Sequence, residues 1–499
     1  MEARENLRGS GILLSISSLP SPYGIGTLGR EAYNFVDLLG DLKQKYWQVL
    51  PVGPTIFGDS PYQPSSGCAG NIYFIDLDKL VDEGLLEKEE ILGYNWGTDE
   101  SEIDYAALHQ NRCKILQKAF ERFDTNAQEF QDFVKKQSEW LEQYALFMTL
   151  KADNLYKNWS EWPSEYRNPQ AVALEKYQKK NYNTITFWKF CQYKFFEQWE
   201  DLKNYANSKG IYIIGDASFY VGYDSVDVWA ERQLFMMSAN DTPEYVAAAG
   251  PDKYSESGQV WGNPMYDWDA MKEDNFSWWR KRMRVCRELF DIVRIDHFAG
   301  IVKAYAVPYG QDKSLSGKWF KGPGRRLVNA INEELEGVNV VADYTSASLL
   351  PGVKKLLAKS GWMGTKVMMF AFDGDPSNEY LPHNYTDSHV VAYIGTHDNE
   401  TIVGSFGEKT DYELAYLYEY LNIENKSQVP NALIRELYHS TAELAIVQMQ
   451  DILELGNEAR MNYPSTVGHN WRWRMTSKPH RLDNEKIAWI RNIAVVYRR

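Results

Sequence analysis

Four aspartates, Asp216, Asp296, Asp343 and Asp398, each stand at the end of a short apolar, β-rich run. Taken singly, each is as readily a helix cap or an ion-pair partner, since carboxylates are rarely placed without a partner. Together they suggest something more specific. Converging carboxylates are what cleavage of a glycosidic bond requires: one attacks the sugar, one protonates the leaving oxygen, and others stabilise the positive charge that develops on the ring. Arg294 stands two residues before Asp296 in VRIDHF, so on an extended strand both side chains share a face. The expectation is that the guanidinium holds Asp296 ionised at neutral pH, as a nucleophile needs. His397 precedes Asp398 and is either a grip for sugar hydroxyls or an ordinary hydrogen-bonded histidine.

To converge, these residues need a common frame. The apolar runs are 11–16, 46–52, 211–216, 292–297, 338–343, 366–372 and 390–398, with a weaker eighth candidate at 457–462. Unbroken apolar character implies burial on both faces, as in a parallel sheet covered by helices. Helical patterns fill the gaps at 187–208 (stopped by Gly210), 278–290, 325–336, 353–360 and 432–455. Such alternation over about eight strands predicts a (β/α)8 TIM barrel, whose site gathers at the C-terminal ends of its strands. The second and third strands are separated by too many residues for a loop. The expected organisation is a single barrel over 1–499, with a mostly helical inserted subdomain at 72–210 and a flexible rim loop at 233–268 over the site.

Composition narrows the partners. The 54 Lys and Arg against 68 Asp and Glu leave a net charge of −14, which argues against nucleic acid or an anionic membrane. The 17 Trp, 33 Tyr and 21 Phe supply core and, in part, flat faces for sugar rings. The four cysteines form neither a CxxC nor a Cys/His ligand pattern, so neither a disulfide framework nor a metal site is expected and the usage fits a reducing cytosol. No apolar run reaches membrane-spanning length, and no signal peptide is evident.

These segments together carry a resemblance. SGILLSISSLPSPYGIG (10–26), YWQVLPVGPT (46–55), GDSPYQ (58–63), DSVDVWA (224–230), SGQVWGNPMYDW (257–268), VRIDHF (293–298), GTHDNET (395–401), GNEARMN (456–462) and NWRWR (470–474) run through the chain in the order found in glycoside hydrolase family 77, the 4-α-glucanotransferases or amylomaltases. The resemblance implies Asp296 as nucleophile and Asp398 as stabiliser of the charged ring. It implies Tyr62, Asp216, Arg294 and His397 around the cleaved sugar, and Gln259 and Trp261 on a rim that stacks on the glucan. It further implies maltooligosaccharides or other α-glucans as partners, no cofactor, and a cytoplasmic location.

The sequence departs from the family pattern at its acid/base. The family run Ala-Glu-Asp-Leu-Gly reads here Ala342-Asp343-Tyr344-Thr345-Ser346, which puts Asp343 in the glutamate's place. The shorter side chain retracts the carboxyl by about 1–1.5 Å, and misplacement on that scale costs roughly 100-fold in rate. Ser15 replaces a common histidine, Pro64–Cys68 replaces a stretch with phenylalanines, and Ala217, Ser218 and Ala299 are further changes. Three activities fit: a transferase working with Asp343, a transglycosidase of altered specificity, or a catalytically silent glucan-binding relative.

Overall fold

The computed structural model describes residues 7–56, 58–168, 172–251, 257–344, 352–476 and 482–499. Among the described residues twelve strands are formed: β1 (Gly9–Leu13), β2 (Tyr46–Gln48), β3 (Tyr212–Ala217), β4 (Tyr245–Ala249), β5 (Gln259–Pro264), β6 (Ile292–Ile295), β7 (Lys303–Pro308), β8 (Lys318–Lys321), β9 (Asn339–Ala342), β10 (Gly364–Val367), β11 (Val390–Tyr393) and β12 (Leu444–Gln448).

Eight of them pair in parallel in the order β10-β11-β12-β1-β2-β3-β6-β9. The two ends of that order meet as well. Val341 bridges Met363 in parallel, with Ala342 N–H donating to Met363 O at 2.9 Å and Met363 N–H to Val340 O at 2.9 Å. The sheet therefore closes into the expected (β/α)8 barrel, each strand beside its successor in the chain. Strand cores such as Ile292–Ile295 and Val390–Tyr393 are wholly buried, as a sheet lined by side chains inside and helices outside demands.

The eighth barrel strand is not where the sequence reading put it. Residues 457–462 hold only a 3-10 turn (Asn457–Ala459), and 432–455, where the sequence pattern predicts one helix, is three elements. A helix, Val429–His439, ends at Ser440; β12 follows; a short helix, Met449–Ile452, completes the stretch. Leu-Ala-Ile-Val-Gln is apolar and short, and periodicity alone does not separate such a run from buried helix.

Between β2 and β3 the described residues are mainly helical, the longest helix being Tyr182–Ser208. Its side chains reach the loop after β2. Gln192 accepts from Gly70 N–H at 2.7 Å and donates to Gly70 O at 2.9 Å, while Gln198 pairs with both backbone groups of Asp76 at 2.7 and 3.2 Å. A Cβ at Gly70 would lie 2.0 Å from the Phe195 ring, so only glycine permits this approach.

Within 233–268, two stretches are strands rather than loop. β4 and β5 pair antiparallel and join β7 and β8 in a second, four-stranded sheet. Backbone pairing overrides a composition rich in Gly, Pro, Ser and Asp. Residues 252–256 of that rim lie outside the described residues.

Candidate active site

The barrel ladder carries the floor of the site. Asp216 on β3 sits opposite Arg294 on β6, and Arg294 opposite Val341 on β9. The ladder continues past the strand ends: Asp296 N–H donates to Ala217 O at 3.1 Å and Asp343 N–H to Ile295 O at 3.0 Å. Three acids from three neighbouring strands thus converge on one guanidinium. Arg294 contacts Asp216 at 2.5 Å and Asp296 at 3.5 Å through Nη1, and Asp343 at 2.9 Å through Nη2. Arg294 is buried, which works against its charge; Asp216 and then Asp343 overcome that and raise its pKa well above the ordinary value.

Asp296 behaves differently from the expectation drawn from its neighbour. Burial comes first and pushes its pKa well above the usual carboxylate range; Arg294 pulls it down, while Asp343, Asp216 and Asp398 push it up again. The guanidinium is shared, and Asp296 has the longest of its three contacts. Carboxylates crowded around one cation cannot all ionise freely.

Asp398 reaches the same mouth by another route. It follows β11 on an irregular turn, where His397 Nε2 lies 3.3 Å from Asp398 Oδ1. Tyr62, from the loop after β2, stacks on His397 with ring centroids 4.8 Å apart at 17°. The Tyr62 hydroxyl donates to Asp216 Oδ2 at 2.8 Å and lies 3.3 Å from His397 Nδ1. Burial and then Asp216 raise the Tyr62 phenol well above its ordinary pKa, so it stays protonated as a donor. Tyr62 therefore links the two groups of acids.

Over the mouth, Trp261 on β5 stands edge-on to His297, with centroids 5.0 Å apart, and donates through Nε1 to Gln259 Oε1 at 3.2 Å. The Gln63 side chain donates to the Trp261 carbonyl. His297, directly after Asp296, takes a left-handed backbone (φ 46°), a strained state that non-glycine residues keep only where their surroundings enforce it. Burial lowers its pKa to about 4, so the imidazole is neutral near pH 7.

The nine residues singled out in the sequence thus occupy one mouth of the barrel. Four more were passed over. Trp471 packs at 5.7 Å from Tyr62 and 5.8 Å from His397. Asn462 donates to Asp398 Oδ1 at 2.6 Å and Arg460 to the Asp398 carbonyl at 2.8 Å. Tyr220 presents a buried hydroxyl that finds no hydrogen-bond partner among the described residues. The quoted runs NWRWR and GNEARMN contained three of them, but nothing in a linear sequence shows that they fold back onto the β11 turn. Among the substituted positions, Ser15 lines a cavity of about 10 Å³ with His397, Gln448 and Met461, and Ser218 accepts from Arg282 at 2.9 Å. Thr345 and Ser346 lie outside the described residues.

The family model for 4-alpha-glucanotransferases of glycoside hydrolase family 77 matches residues 14–479. The chain belongs to that family. It is 43% identical over 475 residues to a 4-alpha-glucanotransferase of Streptococcus pneumoniae, covering 94% of this chain and 93% of that one. A Clostridium butyricum 4-alpha-glucanotransferase is 42% identical over 494 residues, covering 97% and 100%. Among solved structures, Streptococcus agalactiae amylomaltase in complex with acarbose superposes with a TM-score of 0.94 at 38% identity, covering 99% of both chains. Amylomaltase from Corynebacterium glutamicum, at 18% identity and a TM-score of 0.75, shares the fold over 98% of this chain and 75% of its own. Among the described residues of this family-77 enzyme, no helix is long and apolar enough to cross a membrane.

Proposed function

We propose that this enzyme transfers α-1,4-glucan segments between maltooligosaccharides by a retaining double displacement in the cytoplasm. The observation that carries the reading is the gathering of Asp216, Asp296 and Asp343 on Arg294, with Asp398 joined to them through Tyr62 and His397. In this reading the Asp296 carboxylate attacks the anomeric carbon, and the bond to the leaving glycosidic oxygen breaks as Asp343 gives that oxygen its proton. Asp398 and Asp216 hold ring hydroxyls and offset the charge on the oxocarbenium-like ring. The 4-hydroxyl of an acceptor sugar then loses its proton to Asp343 and displaces Asp296, so the α configuration is kept. Trp261 shields the intermediate from water while the acceptor binds.

The weak point is Asp343. Its 2.9 Å ion pair with Arg294 draws the carboxyl toward the floor, where a longer side chain would reach further over the sugar. Incubation with maltotriose tests the whole reading: glucose together with longer maltooligosaccharides is the expected product pattern. Tight binding without turnover would instead mark a silent glucan-binding relative. Asp343→Glu is expected to raise kcat by up to about 100-fold. Loss of activity in that variant would mean the site has been rebuilt around aspartate.

A further inference from the structure

We infer that Asp451 is a positioning residue for the reaction, holding the turn that presents Asp398 to the sugar; this rests on the transfer reading above. The β11 strand ends at Tyr393, the ladder goes one step further where Ile394 O accepts from Met369 N–H at 3.0 Å, and the next helix begins at Ile402, so residues 395–401 have no ladder to fix them. Apart from contacts internal to the turn and those of His397 with the site, the side chains that hold it come from 451–462, the segment after β12. Asp451 Oδ1 accepts from Ile402 N–H at 2.7 Å, Asn457 donates to Glu400 Oε1 at 2.8 Å, and Arg460 and Asn462 hold Asp398 itself. Gly404, in the first turn of that helix, leaves room for Asn457, whose Oδ1 would lie 2.1 Å from a Cβ there and so would be displaced by one.

Asp451 is the buried root of this brace, 1% exposed. Its second oxygen, Oδ2, makes no well-formed hydrogen bond, the Gln448 amide lying near the carboxyl without completing one, and no cation pairs with it among the described residues. An ionised carboxylate in that setting costs stability, and burial raises the group to about 7, with the Ile402 N–H and the Gln448 amide pulling it down. Those two groups face it from the helix 402–407 and from the end of β12. The ionisable side chains of the braced turn are engaged elsewhere: Glu400 with Asn457, Asp398 with Asn462, and His397 with Tyr62. A carboxyl that merely filled space here would be replaced by an amide or an apolar group at no loss. An ionised acceptor holds an N–H more firmly than a neutral one, so the turn is best held when Asp451 is charged.

The test uses full-length Asp451→Ala and Asp451→Asn on maltotriose. Asp451→Ala should lower kcat by about tenfold with KM changed less than about threefold, the split expected when a group acting in the transition state is misplaced. Asp451→Asn keeps the Oδ1 acceptor but does not titrate. It should match the wild type at pH 6 and lack the rise in kcat that the wild type shows through pH 7. A kcat within twofold in Asp451→Ala, a loss confined to KM, or a wild-type pH limb in Asp451→Asn would each overturn the inference. Should Asp451→Ala fail to fold, the Asp451→Asn profile decides alone. A wild type inert on maltotriose would sink the transfer reading instead. Binding then decides on Asp451: Asp451→Ala should bind acarbose, a charged mimic, about tenfold more weakly and maltotetraose unchanged, and equal acarbose affinity would reject the role.

Discussion

The two halves of the site are held by different means. The floor, Asp216 with Arg294, lies on β3 and β6 within the barrel ladder, and the Asp216 side chain is 0% exposed. Asp398 stands 49% exposed on a turn that no ladder reaches, fixed by side chains from 451–462. The barrel supplies position to the floor as a by-product of folding. The turn obtains it from a few hydrogen bonds, each worth only about 0.5–1.5 kcal/mol net. Damage to the floor should therefore appear first as lost stability, and damage to the turn first as lost rate.

The sharpest way to break this contrast is Arg294→Met. It leaves Asp216 buried against two further carboxylates without their shared cation, and breaking a buried pair from one side costs about 3–5 kcal/mol. Thermal or urea unfolding should show that loss along with abolished turnover, and a near-normal Tm would deny the floor its structural role. Asp398→Asn probes the other half. Turnover should fall by about 10²–10³-fold while stability changes by less than about 1 kcal/mol, as read from kcat beside a melting curve. A large drop in Tm would erase the distinction between the two regions.

Asp451 makes stability depend on pH. Its folded pKa, about 7, lies above the ordinary carboxylate value near 3.9. The native state therefore binds its proton more tightly than the unfolded chain does. The resulting stabilisation is complete below about pH 4 and is lost as pH rises through 7, up to about 4 kcal/mol if no other group compensates. Urea unfolding of the wild type should show stability falling between pH 5 and 7.5, with the slope reduced in Asp451→Asn; equal slopes would contradict the burial. The smallest effect is expected at the rim. Trp261→Ala should shift the product ratio toward hydrolysis by a few-fold with little change in Tm, since Trp261 meets the site through ring contacts with His297 and Tyr220 and through the Gln259 and Gln63 hydrogen bonds. An unchanged ratio would remove Trp261 from the acceptor site.

The floor was legible in the sequence because each of its acids ends an apolar run, and strand ends are where a parallel barrel opens its site. The β11 turn was half legible. His397 and Asp398 stood out, while Arg460, Asn462 and Asp451 did not. They lie some fifty to sixty-five residues further on, in a stretch read partly as helix and partly as a strand. The misplaced eighth strand and the hidden brace share one cause: LAIVQ carries no period that tells strand from buried helix, so the segment after it had no assigned place.

From its residues alone this chain determined its family, its alternation of strand and helix, and which carboxylates could meet, because these depend on local pattern and residue chemistry. Tertiary structure decided how the charge of Arg294 is divided among three acids, why Asp296 is pushed up despite a neighbouring cation, and which distant side chains hold Asp398. Those outcomes depend on burial and on distances of a few ångströms between residues far apart in the chain, and electrostatic energies in a buried site are set by such distances rather than by sequence neighbours.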